Sequence, residues 1–206
     1  MSDASNTFAV WRSGAALDAM QMQEGLSVRV EDRGDIGMLD LRLKSKSDID
    51  AASKALGFDL PTKARTSAGT KGIACLWFSV DQWIVVLPRH QLPSVLEKLS
   101  PSLADTFSSI VDVSDMRSVL RVSGSGAQSV LMKSTSVDVF DGAFAPGHVR
   151  RVSFGEIAAA VHVIDETSFD LYVFRSYVEY ALDWISEAAA AEATLQPFSA
   201  QGPVAV

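Results

Sequence analysis

A glycine-containing turn between a strand pattern and a helix pattern is the first stretch of this sequence that suggests chemistry. The segment RVSGSGAQSVLMK (residues 121–133) passes through Gly124 and Gly126. Many proteins hold a nucleotide phosphate at such a turn. However, Ser129 occupies the third glycine position of a dinucleotide-binding G-x-G-x-x-G pattern, and the Gly-Lys-Ser/Thr of a P-loop is absent. We therefore predict a structural corner that requires small residues.

Histidine and cysteine, the usual ligands of transition metals, are few and widely separated. His90, His148 and His162 form no H-E-x-x-H or H-x₃-H pattern, so each is predicted to be a surface or hydrogen-bonded residue. The single cysteine, Cys75, lies in an apolar strand pattern and is predicted to be a buried thiol rather than a nucleophile. A lone cysteine is compatible with a reducing compartment.

Two pairs of carboxylates are the remaining candidates for acid–base chemistry. Asp112 and Asp115 flank Ser114, while Asp138 and Asp141 lie in the segment VDVFDG. Aspartates in such turns usually bond to their own backbone. The sequence also contains no G-x-S-x-G nucleophile elbow. We therefore assign no catalytic, cofactor-binding or metal-ligating residue to this chain.

Composition limits the class of protein. The 206 residues are 48% hydrophobic and 21% charged, which is typical of a soluble globular protein with one large domain or two small ones. The N-terminus has no secretory signal pattern and no apolar stretch is long enough to span a membrane, which predicts a cytoplasmic protein. The net charge of −7 argues against nucleic-acid binding. Five basic residues in one window are predicted to be mostly solvated or paired: Arg117, Arg121, Lys133, Arg150 and Arg151.

The periodicity of apolar residues predicts two small units. Strand, strand, helix, strand, strand, helix is expected over about residues 26–100, including a hairpin over Ile73–Pro88. A second unit follows from about Ile110. The predicted organisation is α+β, two intermingled small units with mainly antiparallel sheets. Its parts are an N-terminal arm (1–24), a first subdomain (26–105), a second subdomain (110–190) and a flexible C-terminal tail (191–206).

Capping signals set the expected ends of two helices. Ser47 is predicted to cap a helix that ends near Leu56, with Gly57 just beyond it. Ser176 and Glu179 have the spacing of a capping box at the start of the last helix.

Aromatic residues are concentrated in the hairpin and in the last strand and helix. The last strand alternates Leu171 and Val173 with Tyr172 and Phe174, so both of its faces are apolar. Either a partner subunit or helices of the same chain must cover the second face. The aromatic residues concerned are Trp77, Trp83, Tyr172, Phe174, Tyr177, Tyr180 and Trp184.

Six segments, in order, give the sequence a family resemblance. It resembles the gamma subunits of heterotetrameric sarcosine oxidases and, more distantly over residues 120–154, the folate-binding aminomethyltransferase superfamily. The matching segments are ALGFDLP (Ala55–Pro61), LWFSVDQWIVVLP (Leu76–Pro88), VDVSDMRSVLRVSG (Val111–Gly124), VLMKSTSVDV (Val130–Val139), FAPG (Phe144–Gly147) and YVFRSYVEYALDWI (Tyr172–Ile185).

The resemblance implies a four-subunit oxidoreductase that demethylates sarcosine to glycine, passes the one-carbon unit to tetrahydrofolate and forms hydrogen peroxide. It further implies that the alpha and beta subunits carry FAD, FMN, NAD and tetrahydrofolate, that the delta subunit carries zinc, and that the gamma subunit has no cofactor or catalytic residue of its own.

Two alternatives stay open. The chain could be the small subunit of the related N-methylglutamate dehydrogenase, or a stand-alone folate-binding module in which Arg117, Arg121 and Arg150 meet the glutamate tail of folate. Relatives that support iron–sulfur assembly use a Lys-Gly-Cys-Tyr motif. Here Lys71 and Gly72 are followed by Ile73 and Ala74 before Cys75, which argues against that function.

Overall fold

The structure is a computed structural model that describes residues 16–21, 27–70, 72–139 and 145–190, with the side chains from residue 27 onward. It contains the strands β1 (Ala16–Gln21), β2 (Ser27–Asp32), β3 (Ile36–Leu43), β4 (Ser67–Thr70), β5 (Ile73–Ser79), β6 (Gln82–Pro88), β7 (Ser108–Asp112), β8 (Arg117–Ser123), β9 (Val149–Phe154), β10 (Ile157–Asp165) and β11 (Ser168–Phe174). The α-helices are α1 (Lys46–Leu56), α2 (Leu92–Ser102), α3 (Ala127–Ser134) and α4 (Val178–Ala189).

The strands form two sheets in which every described pair is antiparallel. The large sheet has the order β1-β2-β8-β11-β10-β9, and the small sheet has the order β4-β5-β6-β3-β7. The two sheets meet at one side, where Thr66, next to β4, forms an isolated antiparallel bridge with His148, next to β9. The antiparallel α+β class predicted from the sequence is confirmed.

The two sheets are built from the same sequence of elements. The run β3-α1-β4-β5-β6-α2 and the run β8-α3-β9-β10-β11-α4 give the sheet orders β4-β5-β6-β3 and β9-β10-β11-β8. The strand before each run is exchanged: β2 pairs with β8, and β7 pairs with β3. We call these runs the first half and the second half. The strand before each half therefore joins the sheet of the other half. This arrangement is expected for two halves related by an approximate two-fold axis.

Three clusters of buried side chains arrange the elements in four layers. Helices α1 and α2 cover the outer face of the small sheet, where Leu41, Trp83 and Leu99 are buried. Helices α3 and α4 cover the outer face of the large sheet, and the third cluster fills the space between the two sheets. Tyr172 on β11 lies in that third cluster and is 2% exposed. Helices cover one face of the last strand and the small sheet covers the other, so no partner subunit is needed to bury it.

The first helix begins two residues earlier than the sequence predicts. Ser45, not Ser47, is its N-cap: Ser45 Oγ accepts a bond from the Asp48 amide, and the Asp48 carboxylate accepts one from the Ser45 amide. A serine followed three residues later by an acid can satisfy both amides. Ser47 has the same spacing to Asp50, but it lies inside the helix and its hydroxyl contacts Ser45 Oγ at 2.7 Å. The predicted end of the helix is confirmed, because Gly57 has a φ of 81° in the left-handed region.

The predicted capping box at the last helix is wrong. A 3₁₀ turn over Arg175–Tyr177 precedes α4, and Tyr177 is the N-cap without a side-chain bond. The amide of Arg175 donates to the carbonyl of Met116, so the first residue after β11 is still hydrogen-bonded to the residue that precedes β8. Ser176 is thereby placed inside the 3₁₀ turn, one residue too early to cap the helix.

The predicted hairpins β5–β6 and β10–β11 are confirmed. Strand β1 lies in the segment that the sequence predicts to be an N-terminal arm, and it pairs with β2. The rest of that arm, the tail from residue 191 and Asp141 lie outside the described residues. Among the described helices, none is long and apolar enough to cross a membrane.

Candidate functional site

The glycine turn after β8 packs against β2, and its amides have partners within the protein. The amide of Gly126 donates to the carbonyl of Ser27 (3.0 Å), and the amide of Gly124 donates to the carbonyl of Thr167 (3.0 Å). Gly124 has a φ of 112°, and an added Cβ would lie 2.3 Å from the Ser27 oxygen. The predicted structural corner is confirmed for Gly124. Gly126 has an ordinary φ of −94°, so it contributes an amide rather than an unusual backbone conformation.

A serine and a histidine 95 residues apart meet where the two sheets join. Nε2 of His162, on β10, lies 2.9 Å from Oγ of Ser67, on β4. Ser67 Oγ also lies 2.8 Å from the carbonyl oxygen of Gly147, which can only accept. The single hydroxyl proton of Ser67 is therefore donated to Gly147, so His162 Nε2 carries its own proton and donates it to Ser67. A histidine in this tautomer cannot take the serine proton.

Burial keeps the His162 ring neutral. The side chain is buried between the sheets, and this desolvation lowers its pKa from 6.5 to about 4; the carboxylate of Asp170 opposes the shift and the guanidinium of Arg121 adds to it. Asp170 is opposite His162 in the strand register, yet both of its oxygens bind Arg121: Oδ1 to Nε at 2.5 Å and Oδ2 to Nη2 at 2.8 Å. Ser67–His162 and Arg121–Asp170 are therefore two separate pairs, and in the described residues no hydrogen bond joins His162 to Asp170 as in a Ser-His-Asp triad.

The other candidates from the sequence are structural or solvent-exposed. Asp112 accepts bonds from the amide and hydroxyl of Ser114, as expected for a turn residue. Cys75 is fully buried, which raises the pKa of its thiol. His90 is exposed, whereas His148 Nδ1 accepts a bond from the Ala145 amide. Within the described residues, no group of three His, Cys, Asp or Glu side chains is placed to hold a metal ion.

A cavity of about 880 Å³ opens where the ends of the two halves meet. Its walls come from equivalent places: the β2–β3 and β7–β8 turns, and the residues that follow β6 and β11. Arg89 and Arg175 are equivalent in the two halves, since each begins a 3₁₀ turn after its strand, and their amides donate to the carbonyls of Asp35 and Met116. Cavities of this size accommodate small organic molecules.

The three arginines that line this cavity differ in their partners. Arg89 binds Asp115 through two bonds of 2.8 and 2.9 Å, and Arg175 lies 3.9 Å from the same carboxylate. Arg117 instead lies over the ring of Phe174, with its Cζ atom 4.1 Å from the ring centre, and 5.9 Å from that of Phe78. Its Nε is buried and has no hydrogen-bond partner in the described residues.

The arginines proposed to meet a folate tail are not brought together. Arg117 lines the cavity, Arg121 is bound to Asp170, and Arg150 extends from β9 toward the other face of the large sheet, which α3 and α4 cover. In the sequence these three arginines are related only by their spacing. Arg117 was one of several basic residues in that window, and no sequence signal indicated that two aromatic rings would hold it at a cavity.

The four-layer, two-sheet architecture defines the class of protein, and it occurs in known structures. A chain of heterotetrameric sarcosine oxidase from Corynebacterium sp. U-96, in complex with pyrrole 2-carboxylate, matches with a TM-score of 0.77 at 23% identity, over 90% of this chain and 92% of that one. The glycine cleavage system aminomethyltransferase T from Bartonella henselae matches with a TM-score of 0.60 at 10% identity, over 77% of this chain and 45% of that one. The distant aminomethyltransferase-like fold is thus confirmed.

Sequence comparison identifies the particular family. The model of the sarcosine oxidase, gamma subunit family matches residues 45–192, so the chain belongs to that family. The gamma subunit from Corynebacterium sp. strain U-96 is 28% identical over 84% of this chain and 85% of its own length. The gamma subunit from an Arthrobacter species is 27% identical over 67% of this chain and 68% of its own length. The resemblance carried by the six segments is confirmed.

Proposed function

We propose that this chain is a non-catalytic gamma subunit of a cytoplasmic heterotetrameric sarcosine oxidase. The enzyme would demethylate sarcosine oxidatively to glycine, pass the one-carbon unit to tetrahydrofolate and form hydrogen peroxide. FAD, FMN, NAD, tetrahydrofolate and zinc would be bound by the alpha, beta and delta subunits. Family membership supports the assembly, and the chemistry of the chain's own residues supports the non-catalytic role.

The observation that carries the non-catalytic role is the proton arrangement at Ser67 and His162. In the part of the chain that the structure describes, this is the contact that most resembles a nucleophile and its base. Ser67 donates its proton to the Gly147 carbonyl, and His162 has a pKa of about 4 with its Nε2 proton directed at Ser67. Neither group is therefore poised to accept or deliver a proton near neutral pH.

The free edge of the small sheet is a suitable surface for assembly with another subunit. Strand β7 pairs with β3 alone in the described structure, so its outer backbone groups are available for a further strand. Val111 in this strand is 49% exposed, and Phe107 just before it is 84% exposed. By contrast, the aromatic hairpin and last strand, where the sequence suggested an exposed interface, are mostly buried, with Trp83 only 1% exposed.

Co-purification tests the proposed function. The full chain, tagged and expressed in its native source, is expected to copurify with a flavin-containing oxidase whose sarcosine-dependent peroxide production is measured directly. A stable monomer that recovers no flavoprotein would contradict the proposal. Val111→Asp is expected to reduce recovery of the complex, because it places a charge at the proposed contact. Val80→Asp, at an 85% exposed position on the β5–β6 turn, is the matched control.

The alternatives remain distinguishable by experiment. Peroxide formation with sarcosine but not N-methylglutamate separates the proposed oxidase from the related dehydrogenase. A folate-binding module acting alone is less well supported, because Arg121 and Arg150 do not line the cavity. Titration calorimetry of the purified chain with tetrahydrofolate tests it.

A further inference from the structure

Arg117 is a cation at the wall of a cavity that lies close to two aromatic rings and makes no ion pair within 4 Å with the described residues. Its Cζ atom lies 4.1 Å from the centre of the Phe174 ring, which fixes the guanidinium plane near that ring. Burial lowers the pKa of Arg117, and the positive charge of Arg151 lowers it further, while Asp40 has the opposite effect. Asp40 is thus the carboxylate whose charge favours the protonated form of Arg117.

The nearby carboxylates are largely engaged elsewhere. Asp40 Oδ2 accepts a bond from Gln82 at 2.8 Å, while the buried Asp40 Oδ1 lies 3.9 Å from Arg42 Nε and has no hydrogen-bond partner in the described residues. Asp115 binds Arg89 with both of its oxygens. Arginine in a protein interior normally meets a carboxylate or phosphate through its planar set of donors. At Arg117 the buried Nε has no acceptor in the described residues, and the cavity lies beside it.

We propose that this cavity binds a small organic carboxylate, whose carboxylate group accepts hydrogen bonds from the guanidinium of Arg117. The proposed gamma-subunit function assigns no ligand to this chain. The volume of about 880 Å³ is sufficient for such a molecule.

The charges at the mouth of the cavity favour a carboxylate that also carries a cationic nitrogen. The charged groups at the mouth are the exposed Asp35, Glu179 and Arg175, beside the Arg89–Asp115 pair, whereas Arg117 is partly buried in the wall. A ligand with its carboxylate on Arg117 would place a positively charged group toward these acids. Amino acids have this charge pattern. The glutamate end of a folate has the carboxylates without the cation.

Binding to the wild-type chain is the first test. The full-length protein is titrated by calorimetry with sarcosine, N-acetylglycine and p-aminobenzoylglutamate, while the arginine side-chain Nε–Hε signals are followed by NMR. We expect at least one probe to bind and to shift the Arg117 signal, with the exposed Arg29 as the unshifted reference. Sarcosine binding more tightly than N-acetylglycine indicates an amino acid ligand. Preference for p-aminobenzoylglutamate indicates a folate.

Substitution of Arg117 is the second test. Arg117→Gln is expected to weaken binding of the preferred probe at least about tenfold, because a charge-assisted pair is lost. Arg29→Gln is the matched control and is expected to leave the affinity unchanged. No binding of any probe up to about 10 mM, or binding that leaves the Arg117 signal and the Arg117→Gln affinity unchanged, would overturn the inference. Because the NMR measurement uses wild-type protein, the inference stays testable even if the variant is unstable.

The outcome is independent of the proposed function. A chain that binds a carboxylate but recovers no flavoprotein would retain the site and contradict the subunit assignment. A chain that assembles with its oxidase but binds none of the probes would support the subunit assignment and contradict the proposed site.

Discussion

Arg117 and Arg121 lie four residues apart on β8, with their side chains on the same face of the large sheet, yet their environments are opposite. Arg121 binds both oxygens of Asp170 across the sheet. Arg117 lies between two aromatic rings at a cavity, and its Nε has no partner in the described residues. One strand thus connects a completed polar network with an incomplete one. The incomplete one borders the cavity.

The difference follows from the strand register. Residue 121 lies opposite Asp170 on β11, and residue 117 lies opposite Phe174. The chain leaves β11 after Phe174 and turns into α4, while the halves separate around the cavity. Arg121 is therefore enclosed by protein groups that complete its bonds, whereas Arg117 lies where the sheets end. Substitution of Asp170 should therefore lower the free energy of unfolding more than substitution of Arg117.

The largest effect is expected at Asp170. Asp170→Asn removes the charge that compensates Arg121, which leaves a partly buried guanidinium without its counter-ion. The free energy of unfolding should fall by about 3–5 kcal/mol, as measured by urea denaturation. Replacing both partners, as Arg121→Met with Asp170→Leu, should recover much of this loss. A double variant as unstable as the single one would show that the pair is not the source of the effect.

The second effect is a dependence of stability on pH that arises from His162. Its pKa is about 4 in the folded chain against 6.5 in the unfolded one, so between these values the unfolded chain binds the extra proton. Stability from this group is complete above pH 6.5, declines as the pH falls to 4 and changes little below that. The loss amounts to at most about 3 kcal/mol. Thermal melts from pH 4 to 7 should show this slope in the wild type and a smaller one in His162→Gln.

The third effect concerns the end of β8, where it packs against β2. Gly124→Ala should destabilise the chain by about 2 kcal/mol or more, since the residue has a φ of 112° and a Cβ would collide with the Ser27 oxygen. Gly126→Ala, with a φ of −94°, should cost less than about 1 kcal/mol. Equal losses in the two variants would mean that the packing against β2 does not constrain the turn.

The smallest effect is expected at Arg117 itself. Arg117→Gln should change the free energy of unfolding by less than about 1 kcal/mol, because the lost contact with Phe174 is offset by relief of an unpaired, partly buried charge. Denaturation of this variant beside Asp170→Asn tests the contrast directly. A loss as large as that at Asp170 would show that Arg117 already has the partner it needs within the protein.

Local patterns predicted the elements well and their relationships poorly. Alternating apolar residues located the two hairpins, and Gly57 marked the end of a helix. The N-caps were misplaced because Ser45 and Ser47 are both reasonable caps in sequence, and only the position of the Asp48 side chain decides between them. The exchange of β2 and β7 between the sheets was not predicted, since periodicity contains no information about which strands pair.

The candidate site shows the same division. The sequence correctly indicated that Cys75 is buried and that Gly124 serves a turn. It gave no sign that Ser67 would meet His162, because the two residues are 95 positions apart and belong to different sheets. Nor did it distinguish Arg117 from Arg121, which have similar neighbours in sequence.

The amino-acid sequence by itself determined the class of the fold, the main helices and strands and the family, because these depend on local periodicity and on short segments in order. The tertiary structure alone decided which charges are paired. A hydrogen-bond partner is selected by strand register and by the packing of one sheet on another, both of which join residues far apart in the chain. For Arg121 that packing provides Asp170, and for Arg117 it provides two aromatic rings and an open cavity.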